Sequence, residues 1–560
     1  MKGSLLKKGF AALAAFAVGI SGLALGVTTA NAAAVMPTTK TITLNAEDAA
    51  QFTGHTFKAV KIAAYSVDNG VAGVKTVDAY KSEVTAALKD AGATVPDGKD
   101  PLQWALETPG TLDQSGNSAS KYTGKTRLFA DYLAKDPTVV AGLEAVTLQD
   151  VQGNDKQKTI TLPDVGLYLI VDDAAVDSTT TVKGSTRSLA IVVGTPWTTT
   201  EDTTQTVLSD GVVDMKNTLP TIGKVIVKDG QETDTDKVSV GDKVPYRLKG
   251  NVPNYTGYTT YTYKMIDTLS KGLTFINETD DKPVVKIGTK ILTENKDYTV
   301  TVKDRDAATG KQVVEIDFTD FVNTKPTIGD SITVEYHALL NDDAVIRNNG
   351  NPNDVKLEYS NNPYDDSKHD TTPPYDPVVY TYDFNFKKVD KEGNGINNAS
   401  FKVYEGANAD PNKATALKFT GSNGVWTKAT ASAANIKEEL ASDASGYFTL
   451  KGFGPGKYTV YEYGIPTGYA QVRAKFTVTI DENGDASFAD NSGLGLVKAN
   501  DTVKDNGVTY QKVLNVKNLT ELPLTGAAGT ALFTVIAVLL AGAAATVFAK
   551  SRRTSKALQA

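Results

Sequence analysis

Tyr382-Asp383-Phe384-Asn385-Phe386-Lys387-Lys388-Val389-Asp390 decides how this chain is read. Aromatic and polar residues alternate with period two, the signature of a strand with one buried face. Phe384, Phe386 and Lys388 then share that face, which aims a lysine at an apolar interior. Two later stretches repeat the oddity. In Tyr458-Thr459-Val460-Tyr461-Glu462 the alternation groups Tyr458, Val460 and Glu462, and in Leu514-Asn515-Val516-Lys517-Asn518 it groups Leu514, Val516 and Asn518. Three strands of one domain are thus expected to send an amine, an acid and an amide into its core.

Working outward, helical periodicity fades from Leu219 onward, and short Val/Ile/Thr/Tyr runs are punctuated by Gly, Asn, Asp and Pro. That is the pattern of β-sandwiches. The proline-rich run His369 to Pro377 interrupts it, so a sandwich over 216–372, a linker at 373–379 and a second sandwich over 380–520 are expected. The region 33–215 mixes strand-like runs such as GLYLIVDD with helically spaced ones such as AYKSEVTAALKDA and SKYTGKTRLFADYLA. The predicted fold class is mainly β, with tandem immunoglobulin-like sandwiches behind a mixed α+β N-terminal domain.

Composition removes several chemistries. The 560 residues include no cysteine, which excludes disulfides and thiol chemistry, and only three histidines, His55, His337 and His369, in no metal-ligand spacing. No nucleophile–His–acid order appears, so the chain is not read as an enzyme, and no cofactor or metal is expected. Gly452-Phe453-Gly454-Pro455-Gly456 and Asp481-Glu482-Asn483-Gly484-Asp485 are read as turns and not as a nucleotide loop or a calcium loop.

The ends carry addresses. Residues 1–32 have Lys2, Lys7 and Lys8 before an apolar run and an Ala30-Asn31-Ala32 site, a secretory leader expected to be cut after Ala32. At the other end come Leu522-Pro523-Leu524-Thr525-Gly526, an uncharged stretch 527–549, and a tail 550–560 with Lys550, Arg552, Arg553 and Lys556. A helix over the uncharged stretch would be roughly 34 Å long, enough to cross a bilayer, with the basic tail left in the cytoplasm. Leader and tail hold 3 and 4 of the 58 basic residues and none of the 65 acids. The part between them therefore has a net charge of about −14, and nucleic acid is not expected as a partner.

The three-part C-terminus resembles the cell-wall sorting signal of Gram-positive surface proteins. In that family a sortase cysteine attacks the threonine carbonyl, here Thr525, releases Gly526 onward and passes the acyl group to an amine. The last domain, with K-V-D, A-S-F-K-V-Y, G-K-Y-T-V-Y-E-x-x-x-P-x-G-Y and V-K-N, resembles the collagen-adhesin B-type repeat. The resemblance implies a spontaneous isopeptide bond between Lys388 and Asn518, promoted by Glu462. The middle domain, with Pro220-Thr221-Ile222-Gly223-Lys224, Ile266-Asp267-Thr268-Leu269 and Leu357-Glu358-Tyr359-Ser360-Asn361-Asn362-Pro363, resembles the second domain of fimbrial backbone subunits. Lys224 and Asn361 would be joined there with Asp267 as the acid; Asn362 is the rival, and strand parity with Leu357 and Tyr359 favours Asn361. Val212-Val213-Asp214-Met215-Lys216-Asn217 resembles a pilin motif, although Met215 and Asp214 replace its usual proline and tyrosine.

Together these resemblances imply a major pilus subunit displayed at the cell wall. Lys216 of one copy would be joined to Thr525 of another in a head-to-tail polymer. The implied partners are pilus-specific and housekeeping sortases, identical subunits, peptidoglycan, a tip pilin and a host or bacterial receptor. A wall-anchored adhesin or minor pilin that binds host matrix is the alternative.

Overall fold

The computed structural model describes residues 34–68, 71–108, 110–112, 124–173, 186–201, 204–215 and 217–523. The sorting-signal residues Leu524, Thr525 and Gly526, the expected leader, membrane span and tail, and Lys216 lie outside the described residues. Among the described residues no helix is long and apolar enough to cross a membrane.

The N-terminal domain packs a four-stranded sheet, in the order Val212–Asp214, Thr41–Asn45, Asn154–Thr161, Leu148–Val151, against a five-stranded one built on Phe57–Asp68 and Gly166–Asp172. Every residue of Gly166–Asp172 is buried, because helices cover its second face. Tyr168 and Ile170 meet the four-stranded sheet, while Leu167, Leu169 and Val171 meet Leu88, Leu102, Phe129 and Leu133 of the helices. Helix Lys81–Asp90 falls inside the first stretch with helical spacing, and Lys125–Lys135 begins inside the second and runs one residue past its end. Asp100 caps Pro101–Glu107 by accepting from the Gln103 amide, with proline at the first turn where its missing N–H costs nothing.

The middle domain is a sandwich of two seven-stranded sheets. One carries Ile222–Lys228, Lys243–Asn251 and Ser331–Leu340 side by side; the other carries Asn351–Ser360, Tyr263–Leu269 and Gln312–Phe318. Tyr263–Leu269 and Ser331–Leu340 show strict alternation of buried and half-buried or exposed positions, as a sheet with one face in the core requires. The stretch expected to be a linker is instead tied into this domain. Tyr375 bridges Val355, and Val378–Tyr380 runs parallel to Thr235–Lys237 and antiparallel to Asn351 and Pro352. The prolines do not prevent this, because the strand begins only after Pro377, where ladder N–H groups are available.

The last domain pairs a six-stranded sheet containing Tyr382–Val389 with a five-stranded sheet containing Gly456–Gly464. Its first strand lies parallel to Val508–Leu514, the last, with Lys388 opposite Val513. Phe386, Phe401, Phe448 and Phe476 form the aromatic centre; Phe386 stacks on Phe448 at 4.5 Å between ring centroids.

Candidate functional site

Lys388 is completely buried, with Phe384 and Phe386 on the same inward face. Its Nζ donates to Glu462 Oε2 at 3.0 Å and to the Leu514 carbonyl at 3.1 Å, and lies 5.6 Å from the Phe401 ring centroid. Glu462, also fully buried, accepts from the Ala474 amide at 2.9 Å. Burial pushes the Lys388 amine below its ordinary value, because an apolar surround disfavours the ammonium.

The amide beside this pair is Asn515, not Asn518. Asn515 Nδ2 donates to Glu462 Oε1 at 3.0 Å, and its Oδ1 is buried without a partner. Asn518 is exposed at the N-cap of the turn Leu519–Glu521, where its side chain accepts from Thr520. Alternation stops at the end of the last strand: Gln511, Val513 and Asn515 are buried, Val516 is buried as well, and Leu514 packs half-buried against the same core, so stepping by two from Leu514 passes over Asn515.

In the middle domain Lys224 and Asp267 are both fully buried and form a direct ion pair. The Tyr336 hydroxyl donates to the other carboxylate oxygen, Asp267 Oδ2. Asn353 Nδ2 donates to that hydroxyl at 2.9 Å, and Asn353 Oδ1 is buried without a partner. The amine also lies 4.9 Å from the Tyr246 ring centroid and 5.6 Å from that of Tyr336. Burial pushes Lys224 down to about 8 and raises the Asp267 carboxyl, each shift favouring the neutral form.

Asn361 stands elsewhere. Asp267 is opposite Val355 and Tyr263 is opposite Tyr359, so Asn361 lies six residues along the strand direction from the acid, roughly 20 Å. A lysine side chain cannot bridge that. Asn361 sits instead where the N-terminal and middle domains meet: its carbonyl accepts from the Arg187 amide at 2.8 Å. Asn362 caps the next turn by accepting from Tyr364 N. Parity with Leu357 and Tyr359 holds for Asn351 and Asn353 as well as Asn361, so alternation alone could not choose among them. Strand register chooses, and single-chain periodicity does not contain it.

The junction around the remaining candidate is also built. Met215 is buried and its amide donates to the Asn45 carbonyl at 2.7 Å. Asn217, 2% exposed, donates to the Gln51 carbonyl at 2.8 Å and accepts from Gln51 Nε2 at 3.0 Å. The His55 ring stands between Asn217, 3.4 Å from Nε2, and Asp172, 2.7 Å from Nδ1. The residues on either side of position 216 are therefore pinned to the N-terminal domain. At the far end, Leu522 is buried among the last domain's core residues and Pro523 is half-buried. Among the described residues no group of three or more His, Asp or Glu could hold a metal ion.

Residues 240–363 match the Gram-positive pilin backbone subunit 2, Cna-B-like domain; 382–492 match the SpaA prealbumin-like fold domain; 515–556 match the LPXTG cell wall anchor motif. The trypsin-resistant surface T6 protein of Streptococcus pyogenes serotype M6 is 27% identical over 279 residues, covering 47% of this chain and 46% of its own. The chain thus spans about half the length of the curated relative it matches. Among solved structures, the T6 backbone pilin of the same serotype aligns at 17% identity over 85% of this chain and 89% of its own, with a TM-score of 0.45. The full-length major pilin SpaD of Corynebacterium diphtheriae aligns at 18% identity over 86% and 98%, with a TM-score of 0.43.

Proposed function

We propose that the chain belongs, by its matched domains and anchor, to the Gram-positive sortase-assembled backbone pilins and is the major, shaft-forming subunit of a covalent pilus. A sortase thioester formed at Thr525 would be resolved by the Lys216 amine of another copy, and the last subunit would be passed to peptidoglycan. The pinned residues Met215 and Asn217 support Lys216 in this role, since they fix the backbone on both sides of it. A pilus-specific sortase would build the shaft, a housekeeping sortase would attach it, and a tip pilin and a receptor would complete the adhesive function.

The observation that carries the proposal is the pair of water-excluded amine–acid–amide clusters, one in each sandwich. The internal bonds would be Lys224–Asn353 and Lys388–Asn515, with Asp267 and Glu462 as the promoting acids. Burial supplies the chemistry. A neutral amine is nucleophilic, and an acid side chain in contact with it can take up the proton it loses, so the amine attacks the side-chain carbonyl carbon and ammonia leaves. Two isolated buried ion pairs would serve stability poorly compared with apolar packing, whereas two covalent cross-links use the same residues directly.

The test is an immunoblot of detergent-boiled wall extracts from wild type and a Lys216→Ala strain. A high-mass ladder that collapses to monomer in the variant is expected. A lone monomer band in wild type would refute the shaft reading and leave a wall-anchored adhesin; a ladder that survives the substitution would assign the linkage to another lysine.

A further inference from the structure

The two clusters solve one problem differently. In the last domain a single carboxylate touches both reacting groups: Glu462 Oε2 meets the amine and Oε1 meets the Asn515 amide nitrogen, each at 3.0 Å. In the middle domain the acid is an aspartate, one methylene shorter, and it contacts the amine but not the amide. The gap is spanned by the Tyr336 hydroxyl, which touches Asp267 Oδ2 on one side and Asn353 Nδ2 on the other, 2.9 Å away. Tyr336 is 3% exposed, and both hydrogen bonds of its hydroxyl are buried.

We propose that Tyr336 is a catalytic proton relay for the middle-domain cross-link, a role the last domain does not need because glutamate reaches the amide itself. The inference rests on the Lys224–Asn353 assignment made above. In the encounter state the neutral Lys224 amine faces a protonated Asp267. As the Nζ–Cγ bond forms, the Lys224 nitrogen gives a proton to Asp267 Oδ1. The Tyr336 hydroxyl, which donates to Oδ2 while Asp267 is ionised, turns toward Asn353 once Oδ2 carries a proton; Asp267 releases that proton from Oδ2 to the Tyr336 oxygen, and Tyr336 passes its own hydrogen to Asn353 Nδ2. That nitrogen becomes basic only in the tetrahedral intermediate, where its lone pair is no longer conjugated with the carbonyl. The Cγ–Nδ2 bond then breaks and ammonia departs. Asp267 and Tyr336 end as they began, and one proton has moved from the amine to the leaving group. The phenol cannot act as a free base here, since desolvation beside Asp267 raises its pKa well above the ordinary value; it can only accept and donate together.

Intact mass of the mature chain, residues 33–525, tests this with three variants. Wild type is expected to have lost two molecules of ammonia, about 34 Da, with a Lys224–Asn353 cross-linked peptide after digestion. Tyr336→Phe keeps the ring packing and is expected to lose only the last domain's ammonia, the middle-domain bond forming at least about 100-fold more slowly. Asp267→Glu in the Tyr336→Phe background supplies the reach found in the last domain and is expected to restore the second loss. Asn353→Ala gives the circular-dichroism spectrum of a folded, unlinked middle domain, against which Tyr336→Phe is matched. Two losses in Tyr336→Phe at wild-type speed would overturn the relay, as would a double variant that stays at one loss. A wild-type chain without the Lys224–Asn353 peptide would instead refute the underlying assignment.

Discussion

Asn353→Ala is the most informative single substitution in the middle domain. It removes the proposed electrophile and leaves Lys224, Asp267 and Tyr336 in contact with one another. The linkage would close a loop of about 130 residues, and in the chain-entropy account a cross-link of that span removes about 5 kcal/mol of conformational freedom from the unfolded state. The lost Asn353–Tyr336 hydrogen bond adds about 1 kcal/mol. For a domain of this size a loss of that order lowers the unfolding midpoint by about 10 to 20 °C. Scanning calorimetry of the mature chain should show one transition moved by that amount, while the shortfall of the intact mass from the mass of the variant's own sequence shrinks by one ammonia, about 17 Da. Asn361→Ala is the control, since that residue lies at the domain junction; it should leave both mass losses in place. A midpoint within about 3 °C of wild type for Asn353→Ala, or a lost mass change in Asn361→Ala, would refute the assignment.

Glu462→Gln preserves the shape of the side chain but not the acid, so the last domain should keep its ammonia and the total mass loss should halve, read on the same instrument. The unlinked Asn353→Ala chain should also have a telling pH dependence. Lys224 is shifted from an ordinary 10.5 to about 8 in the folded protein, so between those values the unfolded chain holds a proton that the folded one does not. Stability of the middle domain should therefore rise with pH across about 8 to 10.5, followed by urea titration, where an exposed lysine would give a flat profile.

How much of this was legible in the sequence depends on which kind of information each residue needed. Lys388 and Glu462 could be found from alternation alone, since Phe384, Phe386, Tyr458 and Val460 set the inward face on either side of them. Lys224 and Asp267 came from resemblance, and both are buried together. The two asparagines needed more. Asn515 follows Gln511 and Val513, and reading the last strand from Val513 would have reached it; starting from Leu514 found the buried Val516 but passed over Asn515. Asn353 and Asn361 share a face, and only the pairing of Val355 with Asp267 separates them. Tyr336 lies in ITVEYHALL as an ordinary inward aromatic, and nothing local distinguishes a phenol that bridges two reacting groups from one that fills space.

The placement of the cross-links also makes sense as a path for tension. In the proposed shaft, force would enter at Lys216 and leave at Thr525, so the N-terminal domain, residues 34–215, would lie off the loaded line. It can dispense with a cross-link of its own, and the His55–Asp172–Asn217 contacts need only hold its end in place. From Lys216 tension would pass along the first strand to Lys224, cross to Asn353, run to Lys388, cross to Asn515 and continue to Thr525. The longest loaded stretch held by noncovalent contacts alone would then be the backbone between Asn353 and Lys388, chiefly by the ladder between Asn351–Ser360 and Tyr263–Leu269. Those roughly 35 residues give a contour of at most about 120 Å. Single-molecule pulling on wild-type shafts should thus show no extension step above about 120 Å per subunit, whereas Asn353→Ala shafts should show steps of several hundred ångströms as the middle domain unravels. Steps of that larger size in wild type would mean that force does not run through the two cross-links.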